Sequence, residues 1–268
     1  MYEDFDTSSP WSILQFCNYH VEHNPLRRLR QSRPPHNPPP RRRRSHHPLH
    51  YPQPRPKPDI VSLGGHPILQ SIEQASVSDL AATTTRVQAT TVIWAAGAGA
   101  GSPERTQAVD NEGAIKSMDA AARAGVKRYV IVSAVDVRDR ESKPEPEWYD
   151  DAGRRRSEGV WRAIGVYMRA KLAADRSLVV ENERRGLEYT IVRPGGLSND
   201  PGKGKVAAGK VHLDSMISRE DVAAIVVECL KNDGTKGLAF DCVGGDTPIV
   251  DAVAEVANSK IDAFAGRY

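Results

Sequence analysis

The chain has 268 residues, of which 26% are charged, and a formal net charge of +3. That length suits one α/β domain or two small ones. Cys17, Cys229 and Cys242 are too few and too scattered for a disulfide scaffold and show no metal-ligand spacing, so no metal site is expected. A reducing, cytoplasmic compartment fits this cysteine usage best. No apolar run is long enough to span a bilayer, so no membrane partner is expected, and the acidic opening Met1 to Asp6 is unlike a targeting peptide.

The positive charge is confined to the beginning of the chain. Residues 1–58 hold ten Lys/Arg against four acids, together with 12 of the 19 prolines and six of the eight histidines. Proline removes backbone donors and the arginines repel one another. Apart from a brief apolar patch at Trp11 to Cys17, the segment has too little apolar surface to offset its ordering entropy. It is expected to be disordered. The run Arg41 to Arg44 reads as a solvated basic linker rather than a nucleic-acid site, because no aromatic platform accompanies it.

From Asp59 the pattern changes to alternating strands and helices. Asp59 to Leu63 is a short strand ended by Gly64-Gly65, and residues 68–86 are helical, with Ser76 or Ser78 as a cap. Thr90 to Ala96 is β-branched without alternation, as in a strand buried on both faces. The loop Gly97 to Gly101 follows. Ser102 is a good N-cap with Pro103 at the first helical position, and that helix runs to Ala124 and stops at Gly125.

Lys127 to Ser133 is the next strand. Residues 135–160 are charged and irregular, a lid or a solvated insertion. A helix containing Tyr167 and Lys171 extends to Arg185 and closes at Gly186. Glu188 to Val192 is a strand broken by Pro194. Ser218 to Asp221 is a capping-box pattern opening a helix to Leu230. Gly237 to Val243 is the last strand, and Thr247-Pro248 caps the last helix. This alternation predicts an α/β fold with a mostly parallel sheet and helices on both faces, over residues 59–268.

Two constellations carry chemistry. Strand 90–96, the glycine-rich loop and helix 103–124 form a possible dinucleotide cradle, with Asp136 as the ribose-binding acid. Ser102 stands where the third glycine should be, however, and Asp136 is too far along the chain. The second is Tyr167 and Lys171, four residues apart on one helix face. An ammonium so close favours the phenolate and suits Tyr167 to acid/base work. Such a spacing alone arises by chance in roughly one such chain in three.

Order along the chain is more specific. Val92 to Gly97, Ala124 to Ser133, Tyr167 to Lys171, Tyr189 to Gly196 and Ile217 to Ala223 follow one another as in the short-chain dehydrogenase/reductase superfamily, and the chain most resembles its atypical, NmrA-like NAD(P)-binding branch of fungal type. The resemblance implies a Rossmann-like domain over 59–268 that uses NADP or NAD. It makes Tyr167 the general acid/base and has Lys171 lower its pKa and bind the nicotinamide ribose. Ser133 would hold the substrate carbonyl. Ala96 and Gly97 would lie against the cofactor's ribose and pyrophosphate, and Pro194 and Gly195 beside the nicotinamide.

Three departures accompany it. Ala134 stands where many relatives have the catalytic serine, and Asp110 where many have asparagine. The family's N-terminal glycine-rich βαβ unit has no counterpart, so the sheet is expected to be N-terminally incomplete and strand 90–96 to lie at an edge. Either residues 60–63 or Trp11 to Cys17 would cover that edge, or it would stay bare. The activity implied is hydride transfer between nicotinamide and a small carbonyl or hydroxyl substrate. The alternatives are a non-catalytic dinucleotide sensor and a form that no longer binds cofactor.

Overall fold

The computed structural model describes residues 14–17, 65–99 and 102–268. Residues 1–19 and 70–268 make one compact unit and residues 20–69 another. In the second unit the described residues, 65–69, carry no regular secondary structure. The strand expected at 59–63 and nearly all of the Pro/Arg/His-rich segment lie outside the described residues.

In the first unit the chain enters as strand β1, Leu14–Cys17. Helix α1, Val77–Arg86, is shorter than expected. Its start is fixed by a capping box in which Ser76 Oγ accepts from Asp79 N–H (3.2 Å) and Asp79 Oδ2 accepts from Ser76 N–H (2.9 Å). Strand β2, Thr91–Trp94, is buried throughout, as its lack of alternation requires.

The helix expected from Pro103 begins as foreseen. Ser102 Oγ accepts from Arg105 N–H at 3.3 Å, and Pro103 occupies the first turn. It is not a uniform α-helix. After α2, Pro103–Thr106, residues Gln107–Gly113 are wound as a π-helix before α3, Ala114–Arg123, resumes. The wider turn brings Asp110 inward (see below), and such segments recur at functional sites. Gly125 follows in the left-handed region (φ +75°).

After β3, Arg128–Val132, only residues 133–150 are irregular. Helix α4, Asp151–Val180, starts earlier than charge alone suggested, because Asp150 caps it by accepting from Gly153 N–H at 2.7 Å. Ile164 breaks its path with φ −130° and ψ 30°, just before Tyr167. A short α5, Asn182–Arg185, ends at the left-handed Gly186. Strand β4, Glu188–Pro194, continues through the proline expected to end it.

Four short strands escaped the sequence reading. These are β5 (Leu197–Ser198), β6 (Lys205–Gly209), β7 (Ile217–Ser218) and β9 (Thr247–Pro248). They are short or nearly free of β-branched residues. Helix α6, Arg219–Lys231, is capped by Ser218 as foreseen. Strand β8, Leu238–Gly244, and helix α7, Ile249–Asn258, complete the unit. Thr247-Pro248 pairs with β6 instead of capping α7 through a side chain.

The main sheet runs β1-β2-β3-β4-β8-β6-β9, with β2, β3, β4 and β8 parallel. β1 lies antiparallel on the outer edge of β2, Leu14 opposite Trp94 and Cys17 opposite Thr91, so the expected edge is covered by part of the Trp11–Cys17 patch. Side chains alternate across the sheet. Val92, Trp94, Tyr129, Ile131 and Ile191 pack in one core with Leu80, Met118 and Met168 from α1, α3 and α4. Ile93, Val130, Val192 and Phe240 pack in the other with Ile225 and Val253 from α6 and α7. The fold is therefore Rossmann-like α/β, with helices on both faces.

Gly113, where the π-segment meets α3, has no room for a side chain. A Cβ there would lie 2.6 Å from Ile72 Cγ2 and 3.3 Å from Trp94 Cη2. Gly113→Ala should destabilise the fold by about 1–3 kcal/mol. Gly159→Ala, in α4 with open space around it, should stabilise it by about 0.5–1 kcal/mol through helix propensity. Urea unfolding of the two variants beside the wild type measures both; equal midpoints would refute the packing assigned to the π-segment.

Candidate functional site

Parallel strands put their carboxyl ends on one side of the sheet, and that is where α/β folds hold ligands. Trp94 pairs with Ile131 and Val132 with Val192, which brings Ala96-Gly97, Ser133 and Pro194-Gly195 to the same edge. Backbone bonds stitch them there: Ser133 N–H donates to Val192 O (2.8 Å) and Val135 N–H to Pro194 O (2.9 Å). Gly195 is tightly enclosed, since a Cβ on it would meet Val243 Cγ1 at 2.9 Å and Ser215 O at 3.1 Å.

Helix α4 supplies the charged part. Tyr167, Lys171 and Asp175 recur every four residues and share the face turned to the sheet. Tyr167 is partly buried, Lys171 and Asp175 fully so. Lys171 Nζ lies 5.6 Å from the Tyr167 ring centroid, 3.2 Å from Asp110 Oδ1 and 3.3 Å from Val132 O. Asp110, wholly buried in the π-segment, uses its other oxygen, Oδ2, to accept from Ala98 N–H at 2.9 Å. A Cβ at Gly97 would come within 3.2 Å of Asp110 Oδ1, so the small residue lets the carboxylate approach the loop.

This ion pair changes the electrostatics expected from spacing alone. Burial raises the Tyr167 phenol. Lys171 pulls it down, as anticipated, but Asp110 and Asp175 push it up again, and the net shift is upward. For Lys171, burial works against the charge, while Tyr167, Asp110 and Asp175 together outweigh it and hold the ammonium above its usual range. At neutral pH the pair is a protonated phenol beside a neutralised ammonium.

Ser133 is turned inward. Its hydroxyl donates to Asp175 Oδ2 at 2.5 Å, and Oδ1 of Asp175 has no hydrogen-bond partner among the described residues. Burial raises Asp175 to about 6, against the pull of Ser133, Arg193 and Lys171. Asp136 is no ribose-binding acid. It is buried in a left-handed conformation (φ +62°), bonded to Arg138 Nε (3.0 Å), Ser157 Oγ (2.6 Å) and Trp161 Nε1 (3.0 Å), and ties the 133–150 loop to α4.

The structure thus brings Tyr167, Lys171 and Ser133 to the strand ends that carry Ala96, Gly97, Pro194 and Gly195. It adds two carboxylates whose roles sequence reasoning missed. Asp175 was legible as a third polar residue at the four-residue spacing of Tyr167 and Lys171. Asp110 was noticed as a departure, but its partner was not, because a regular α-helix gave no reason to aim it at Lys171. Among the described residues no cluster of His, Cys, Asp or Glu could hold a metal ion, and no helix is long and apolar enough to cross a membrane.

Comparison with known proteins accords with this edge. A family model described as NAD(P)H-binding matches residues 60–233. A UPF0659 protein of Schizosaccharomyces pombe is 40% identical over 197 residues, 73% of this chain and 78% of its own length. The Bacillus subtilis protein named uncharacterized sugar epimerase YhfK is 37% identical over 201 residues, 75% of this chain and 83% of its own. Among solved structures, a putative NAD-dependent epimerase/dehydratase from Bacillus halodurans superposes with TM-score 0.59 at 29% identity, covering 74% of this chain and 82% of that one. The residues at this edge leave room for a dinucleotide: Gly97 keeps the loop after β2 slender, and Lys171 is a fixed donor at the end of β3. With its Rossmann-like sheet, its glycine-bearing strand ends and its match to the family model over most of its length, the chain belongs to the NAD(P)H-binding family.

Proposed function

We propose that the protein is an NAD(P)-dependent oxidoreductase of the NmrA-like type, reducing a carbonyl or oxidising a hydroxyl group with Tyr167 as general acid/base. The observation that carries this reading is the packing of Tyr167 and Asp110 against Lys171 beside the end of β3 and the loop after β2. Residues 59–268 would be the dinucleotide-binding domain, without the family's N-terminal βαβ unit. In support, the outer neighbour of β2 is the antiparallel β1, where the family's first strand would run parallel.

Lys171, Ala96, Gly97, Pro194 and Gly195 would hold the ribose and nicotinamide end of the cofactor, which supplies or accepts the hydride. Tyr167 gives a proton to the substrate oxygen in reduction and takes it back in oxidation. Raised further from a value already above neutral, it is a phenol at neutral pH, the form that gives a proton in reduction. Lys171, anchored by Asp110 and Val132 O, fixes where a ribose hydroxyl can bind. The name of the B. subtilis relative makes sugar ketones and hydroxyls the first compounds to try. A second reading, a dinucleotide sensor without turnover, draws on Ala134 and on the inward-facing Ser133 hydroxyl. Tight NADPH or NADH binding with no turnover on any carbonyl would favour it.

Tyr167→Phe should lower NAD(P)H-dependent carbonyl reduction by at least about 10²-fold while leaving cofactor affinity near the wild-type value. Unchanged turnover would remove Tyr167 from the mechanism. Asp110→Asn removes one of the charges that raise the phenol, so the alkaline limb of the reduction profile should move to lower pH. Asp110→Ala strands a buried ammonium and should destabilise the fold by about 3–5 kcal/mol in urea unfolding.

A further inference from the structure

Asp175 sits one helical turn beyond Lys171, two turns beyond Tyr167, and is wholly buried. Its one hydrogen bond among the described residues is to Ser133, the residue that ends β3 beside the reacting edge. An O···O separation of 2.5 Å is that of a strong, charge-assisted bond from a hydroxyl to a carboxylate. The second oxygen, Oδ1, is buried without a partner among the described residues. A carboxylate left half-bonded in a core is costly, and most buried polar groups in a settled structure are satisfied.

Resting on the reading of Tyr167 and Lys171 as the catalytic pair, we propose that Asp175 is a positioning residue that sets the direction of the Ser133 hydroxyl, and through it the preferred direction of the reaction. With Asp175 ionised, the Ser133 proton points into the core, and the hydroxyl offers the site only lone pairs. That state accepts from a substrate alcohol and suits oxidation. With Asp175 protonated, the acid donates to Ser133 Oγ and the serine proton turns outward. That state holds a substrate carbonyl and suits reduction. The one covalent change is the O–H bond that Asp175 gains or loses with a solvent proton; the serine O–H only turns.

The surroundings place the change in a useful range. Lys171 and Tyr167 face Asp175 from α4, Ser133 and Tyr129 from β3, Arg193 from β4, and Asp110 stands behind Lys171. Burial dominates and lifts Asp175 to about 6. Reduction should therefore quicken as the pH falls through that midpoint, and oxidation as it rises.

Carbon-detected NMR of the side-chain carboxyls, on the full chain without cofactor, reads the titration directly. A midpoint near 6 is expected for Asp175, and Ser133→Ala should move it upward, because the serine bond favours the ionised form. A midpoint near 4, or one indifferent to Ser133→Ala, overturns the proposal. In steady-state assays, wild-type reduction should gain roughly ten-fold on crossing the midpoint downward, the worth of one hydrogen bond to a carbonyl. Asp175→Asn, whose amide donates at every pH, should hold the acid-side rate up to pH 8. An Asp175→Asn profile that parallels the wild type overturns the proposal alone. An active Tyr167→Phe overturns the catalytic reading beneath it, whatever Asp175 does.

Discussion

The site depends on one buried ion pair, Lys171 with Asp110. Burying two charges costs more than an exposed pair would return, so such a pair persists only with close geometry and further hydrogen bonds. Both are present here. Lys171 also donates to Val132 O, and Asp110 also accepts from Ala98 N–H. Three parts of the chain that are far apart in sequence are thereby fixed at one place. They are the loop after β2, the end of β3 and the middle of α4.

The π-helical turn follows from the same constraint. A regular α-helix from Pro103 would present residue 110 at a different angle. Seven residues wound more widely carry its carboxylate to both Ala98 and Lys171, and the slender Gly97 admits it. The consequence for chemistry is a balance of charge. One ammonium faces two carboxylates and a phenol, so the phenol stays protonated, and Asp175 takes up a proton only as the pH falls through about 6.

Much of this fold was legible in the sequence because local signals agreed with burial. The β-branched run at 91–94, the Ser102-Pro103 start, the glycines at 125 and 186 and the Ser218 cap each have one physical reading, and each stands where it was expected. What escaped depends on tertiary contact. Strand β6 has one buried apolar side chain, Val206, and becomes a strand only because β8 offers it an edge. The pairing of Leu14–Cys17 with β2 joins residues nearly eighty apart. At the site, the four-residue spacing of Tyr167 and Lys171 was plain, but the sign of the phenol's shift was not. That sign depends on burial and on two acids, one aimed by a π-turn that composition does not announce.

If the Lys171–Asp110 pair organises a nicotinamide site, Lys171 must matter to binding as well as to folding. Calorimetric titration of NADPH and NADH onto the wild type and onto folded Lys171→Arg tests this most directly. The account predicts saturable 1:1 binding of at least one dinucleotide to the wild type, weakened by ten-fold or more in the variant, since a planar guanidinium cannot reproduce a compact ammonium set against Asp110. Equal affinity in the two proteins, or no heat with either dinucleotide, would contradict it.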